Sequence, residues 1–271
     1  SFLCAPEKGH TAVSNHDKEV RLLHPAAKLA RAGDRLVSMV AAALIVLMLL
    51  YGGYSLWDTA MVFQGAFLGS DLLQFKPGVS GDPDSNPTLE ELQAINPDVL
   101  GWLTVDDTHI DYPVVIGDTD MEYVNKDVYG DFALSGSIFL DSDNARDISD
   151  PYTLVYGHHM DNGAMFGDVV EFVNTDYFDS HTTGTLYLPD ATYSIEFFAC
   201  LQVDAFDSMV YDPLRYPEGD ISELLNYVDE NAVQSRYIGV TPQDKVIALS
   251  TCAEAETNGR VVIFGRLDRM S

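Results

Sequence analysis

The apolar positions of the chain fall into distinct regimes. From Leu36 to Trp57, 22 consecutive residues carry no charge, and the stretch includes VSMVAAALIVLMLL. About 20 apolar residues span the hydrocarbon core of a bilayer, so this run predicts a transmembrane helix. A buried core helix rarely stays uncharged for so long. A cleaved signal peptide has a shorter apolar core, closer to the N-terminus. Residues 58–75 stay fairly apolar and predict a juxtamembrane helix. Lys76–Pro87 reads KPGVSGDPDSNP; three prolines, two glycines and two serines mark a linker.

Beyond Pro87 the pattern shortens to strand length. Eight runs rich in β-branched and aromatic residues are bounded by Gly, Asp and Pro. They are Gly101–Val105, Ile110–Ile116, Ser137–Leu140, Thr153–Tyr156, Thr185–Leu188, Thr192–Val203, Lys245–Thr251 and Arg260–Leu267. Pro189-Asp190-Ala191 predicts the turn of a long hairpin. So many strands in one segment predict a mainly β fold, an eight-stranded closed or nearly closed barrel with flanking helices. Thr88-Leu-Glu-Glu91 fits a capping box opening a short helix that ends near Ile95. Met165–Phe172 predicts a second helix. Over Asp220–Gln234, Ile221, Leu224, Leu225, Val228 and Ala232 form one apolar stripe at helical spacing. The chain thus divides into residues 1–35, a span at 36–57, a juxtamembrane segment and linker at 58–87, and a globular domain at 88–271.

Charge gives the span a direction. The formal net charge is −27, with 15 Lys and Arg against 42 Asp and Glu. Six of the bases and four of the acids lie in residues 1–35, leaving nine and 38 beyond. The basic flank, with Arg31 and Arg35 within a turn of the span, predicts a cytoplasmic N-terminus and an exported C-terminal domain. Tyr51, Tyr54 and Trp57 sit at the outer end, as interfacial aromatics do. So strong an excess of acid excludes a nucleic-acid binder, since phosphate affinity rests on Lys and Arg. Three cysteines exclude a disulfide-stapled scaffold. Cys4 lies on the cytoplasmic side, and Cys200, within IEFFACLQV, reads as a packed strand residue.

Cys252 ends the strand VIALST and precedes a polar loop, Ala253–Gly259, whose Asn258-Gly259 supplies a turn. Arg260 opens the next strand. If the two strands pair, a cation stands beside a thiol, which lowers its pKa or stabilises an oxyanion. The competing reading is that a strand-end Cys is a small buried hydrophobe. Tyr156-Gly-His158-His159-Met160 follows another strand, where a histidine is well set as general acid or base. His158, His159 and Asp161 are all metal-ligand types, but adjacent side chains on extended chain point apart. With no HExxH and no paired CxxC, no metal site is expected. Asp141–Asp150 superficially resembles a calcium loop, yet lacks its Gly at position 6 and Glu at position 12. His109 and His181 read as surface residues.

Taken together, three separated motifs resemble those of the sortases, the membrane-anchored cysteine transpeptidases of Gram-positive surfaces. Leu249-Ser-Thr-Cys252 resembles the TLxTC signature, with Ala248 in place of the first Thr. Tyr156-Gly-His158 resembles the histidine motif, and Arg260, eight residues after Cys252, stands where the family places its arginine. Asn96–Leu103, Ile110–Val115, Gly157–Val169 and the helix at Asp220–Gln234 are similar to class B members. The resemblance implies a sortase β-barrel of eight strands that needs no cofactor. Cys252 would attack the carbonyl of a C-terminal sorting signal to form a thioacyl intermediate. His158, rather than His159, would protonate the leaving amine and deprotonate the incoming one. Arg260 would stabilise the oxyanion with the backbone N–H of Ala253, while Ser250 and Thr251 would line the substrate pocket. The implied partners are secreted proteins bearing the signal and an amine of the cell-wall precursor or of another protein. A pilin-polymerising sortase and a non-enzymatic, membrane-tethered acidic ectodomain are the alternative readings.

Overall fold

The computed structural model describes residues 13–66, 70–78, 83–160, 163–216, 219–252 and 259–270. The chain divides into two compact units, 1–59 and 60–271. The first unit is the greater part of helix α1 (Val13–Ala66). Within α1, Lys28–Trp57 is long and apolar enough to cross a bilayer, and its large apolar side chains are exposed. Exposed Leu, Ile, Val and Met along several turns suit lipid rather than water.

The second unit is built on a mixed barrel. Its strands are β1 (Val99–Val105), β2 (Asp111–Val115), β3 (Ile138–Leu140), β4 (Tyr152–Gly157), β5 (Thr183–Leu188), β6 (Ala191–Asp204), β7 (Ala232–Ser235), β8 (Lys245–Cys252) and β9 (Gly259–Arg269). Around the barrel the order is β5-β1-β2-β3-β4-β8-β9-β6, and pairing of β6 with β5 closes it. Leu188 and Ala191 pair across the expected tight hairpin. Pairs β2–β3 and β4–β8 are parallel, the rest antiparallel. All eight strands read from the sequence are present. The interior packs Leu103, Ile110, Phe166, Phe172, Phe197, Leu249 and Ile263, all fully buried or nearly so.

Four expectations are revised. A ninth strand, β7, pairs with β6 at Ala199–Leu201. It takes the last residues of the segment read as one helix; helix α5 (Ser222–Asn231) stops where Ala232 turns extended. Gln234 holds that path through its Nε2 bond to the Val173 carbonyl, at 2.8 Å. The segment from Met165 is a 3₁₀ helix over Gly167–Val173, because Met165 itself has φ +54° and cannot begin a helix. A short helix, α4 (Thr175–Ser180), follows it, with Asn174 as its cap. Finally, helix α3 (Pro87–Ile95) opens without the capping box. Pro87 fills its first turn, and the Asn86 side chain instead donates to the Leu188 carbonyl at 2.7 Å.

The N-terminal approach to the barrel is part of its packing. Helix α2 (Ser70–Leu73) and the residues after it send Leu72 and Phe75 into a buried cluster with Leu89, Leu92 and Trp102. Lys76 Nζ meets Asp111 Oδ2 at 2.5 Å, and Asp111 Oδ1 also accepts the Trp102 indole N–H at 2.7 Å.

Candidate active site

Register brings the chemistry together. Because β4 and β8 run parallel, their C-terminal ends lie side by side, with Gly157 opposite Thr251. His158 therefore leaves one strand next to the point where Cys252 ends the other. The antiparallel pairing of β8 with β9 sets Cys252 opposite Arg260. Residues 94 positions apart in the chain are neighbours only through this ordering of three adjacent strands. The backbone of Cys252 is described; Ala253, Asn258 and Asp161 lie outside the described residues.

A cleft of about 450 Å³ opens at this end of the barrel, lined by His158, Arg260, Ser250, Thr251, Tyr156 and Tyr211 among others. Its histidine is held by one bond: Nε2 lies 2.8 Å from the Val124 carbonyl oxygen. A carbonyl only accepts, so Nε2 carries the proton and Nδ1 is the basic nitrogen of the neutral ring. His159 takes a different course. Its backbone bridges to Met165, and its Nδ1 is buried with no hydrogen-bond partner. The two histidines separate as extended backbone requires, and His158 is the one on the cleft. Arg260 Nη1 donates to the Gly259 carbonyl at 3.0 Å.

The cleft wall is an aromatic stack. Tyr156 stacks on Tyr211 with centroids 6.2 Å apart and touches Phe139 at 5.3 Å. Tyr211 Oη and Ser250 Oγ lie 2.9 Å apart, tying the loop after β6 to the β8 strand. Tyr156 Oη donates to the buried Asp141 carboxylate at 2.7 Å. Burial pushes the Asp141 carboxyl above its ordinary range, and the Tyr156 bond partly opposes this. Burial and the Asp141 charge likewise push the Tyr156 phenol well up, so it stays protonated. The Thr251 hydroxyl is buried without a partner. The sequence signals neither Tyr211 nor Asp141: Tyr211 lies in an aperiodic loop, and Asp141 opens a ten-residue loop rich in acids.

Other expected residues fall elsewhere. Within Asp141–Asp150, Asp150 accepts from the backbone of Ala145 at 2.6 Å and from Asn144 at 3.0 Å, and Asp147 accepts from Ser149. Those acids shape a loop. His109 is largely exposed and pairs with Asp168 at 2.9 Å, while His181 stacks on Tyr177. Cys200 is fully buried, and burial pushes its thiol up to about 12. It is an inert core residue.

A sortase-domain family model matches residues 103–268, well over half of the chain. The chain belongs to the sortase family. Its relatives put this sortase in class B, and it is a cysteine transpeptidase. It is 33% identical to the sortase B of Listeria monocytogenes over 66% of this chain and 73% of that protein. Against the sortase B of Staphylococcus aureus it is 25% identical over 88% of this chain and 98% of the other. Among solved structures, it resembles a Streptococcus pyogenes class B sortase involved in pilus biogenesis. The identity there is 40% and the TM-score 0.62, over 66% of this sortase and 97% of that one.

Proposed function

We propose that this sortase is a single-pass membrane enzyme with residues 1–35 in the cytoplasm and its catalytic domain outside the cell. There it cleaves a C-terminal sorting signal of secreted proteins and transfers them to an amine of the cell wall. The Cys252 thiolate attacks the signal's scissile carbonyl, giving a thioacyl enzyme. The cation of Arg260 stabilises the oxyanion, together with the backbone N–H of Ala253. His158 protonates the leaving amine and later deprotonates the acceptor amine. Ser250 and Thr251 form the wall against which the signal lies.

The observation that carries this reading is the strand register: the backbone of Cys252 pairs with that of Arg260 and lies one residue beyond the Gly157–Thr251 pair that leads to His158. A nucleophile, an acid–base group and a cation on adjoining strand ends are what acyl transfer requires. The test is cleavage of a peptide library by the full chain in detergent micelles. Wild type is expected to release a fragment from some peptides, and Cys252→Ala to release none. Retained cleavage by Cys252→Ala overturns the assignment of the nucleophile.

A second reading, covalent polymerisation of pilin subunits, is favoured by two relatives. The S. pyogenes neighbour is described as involved in pilus biogenesis, and a 37% identical neighbour is the sortase B of a type II pilus of Streptococcus pneumoniae. Covalent ladders of a substrate protein, rather than single transfer products, distinguish it.

A further inference from the structure

The cleft contains a carboxylate that the cysteine, histidine and arginine chemistry leaves without a task. Asp120 stands on the turn between β2 and β3 and lines the cleft with His158 and Arg260. Its Oδ1 accepts the backbone N–H of Ser142 at 2.7 Å. That bond orients the carboxylate without neutralising it. Among the described residues no Lys, Arg or His lies within ion-pair distance of Asp120. Its neighbour Glu122, by contrast, is paired with Lys126 at 3.0 Å. The same turn supplies the Val124 carbonyl that holds His158, so one short segment sets both the carboxylate and the imidazole. The charge of Asp120 is felt in the wall, where it adds to the upward push on both Tyr156 and Asp141. Among the described residues of the lining it is the only carboxylate. It shares the lining with one cation, Arg260, and a negative charge in a cleft attracts a second cation that Arg260 does not already supply.

We propose that Asp120 is the docking group for the acceptor, which it receives as a primary ammonium ion such as a lysine side chain. This rests on the amine transfer proposed above. A lysine amine has a pKa of about 10.4 and arrives protonated, unable to attack. Capture as a cation beside a base solves this. Asp120 holds the ammonium, and one proton passes to neutral His158. The freed lone pair attacks the thioester carbonyl, forming the C–N bond. Collapse of the tetrahedral intermediate breaks the C–S bond. The nitrogen's second surplus proton goes to the Cys252 sulfur, and His158 returns its own to solvent.

The experiment uses the full chain in detergent micelles and a donor peptide that the wild type cleaves. Two nucleophiles are compared at neutral pH: Nα-acetyl-lysine amide, an ammonium, and hydroxylamine, which is uncharged. Asp120→Asn is expected to raise KM for the lysine amide about tenfold, the worth of a charge-assisted hydrogen bond, with a much smaller change in kcat. The yield ratio of lysine to hydroxylamine product falls accordingly, and Asp120→Glu restores part of it. An unchanged ratio in Asp120→Asn overturns the proposal. So does a defect that appears only in cleavage of donors carrying Lys or Arg. A wild type that cleaves donors but transfers to neither nucleophile refutes the proposed transfer to an amine acceptor, a different result.

Discussion

Asp141 shows how one side chain couples stability to the cleft. It is buried, yet it accepts from Tyr156 Oη and from the backbone of Asp143 at 3.0 Å. Burial raises its carboxyl pKa, so the folded protein binds the proton more tightly than the unfolded chain does. Its contribution to stability is complete below the unfolded value, near 3.9, and is lost as pH rises through the higher folded value. Asp141→Asn removes the titration while keeping an acceptor for Tyr156. Urea unfolding at steps from pH 4 to 7 should show a declining component in the wild type that the variant lacks. Equal pH slopes in both would contradict the burial effect.

At the scale of the element, the end of β4 decides where His158 goes. Gly157 is packed so closely that a Cβ there would stand 2.5 Å from Ile138 Cδ1 and 2.6 Å from Phe166 Cγ. Both side chains are buried and Phe166 is completely enclosed, so neither can yield cheaply. Gly157→Ala should cost about 1–3 kcal/mol of stability by overpacking. It should also slow peptide cleavage, because the displaced strand end carries the histidine away from β8. Urea midpoints and cleavage rates measured together test both parts; wild-type values in the two assays would show that the strand end has slack. The fate of residues 232–235 is a further lesson at this scale. Ala232 continues the apolar stripe of α5, but edge pairing to β6 and the Gln234 bond outweigh one more turn of helix.

For the whole molecule, the start of the domain after the long apolar helix is set by packing rather than composition. The apolar residues before the proline-rich stretch include two that belong to the core, Leu72 and Phe75. Burying such a side chain contributes roughly 1.5–3 kcal/mol. A chain beginning at residue 68 should therefore unfold at clearly higher urea than one beginning at residue 78, by about 3 kcal/mol or more. Coincident unfolding curves would show that the segment adds nothing. The net charge of −27 acts over the same scale. With nine bases against 38 acids beyond residue 35, like-charge repulsion opposes self-association of that part of the chain.

Local chemistry and periodicity determined much by themselves. The uncharged run at Leu36–Trp57, the eight strand-length runs rich in β-branched and aromatic residues and the motifs around Cys252, His158 and Arg260 are visible because each is written in consecutive residues. Such signals report what a segment buries and which way successive side chains face. The tertiary structure decided everything that depends on non-local partners. It closed the barrel through β5 and β6 and turned Ala232 into a strand. It drew Leu72 and Phe75 into the core and set Tyr211 against Ser250. It also separated Asp120 and Asp141 from more than thirty other acids, one placed in the cleft and one beneath its wall. An acidic residue looks the same everywhere in a sequence this acidic. What distinguishes one is the company it keeps across the fold, which sequence spacing does not encode.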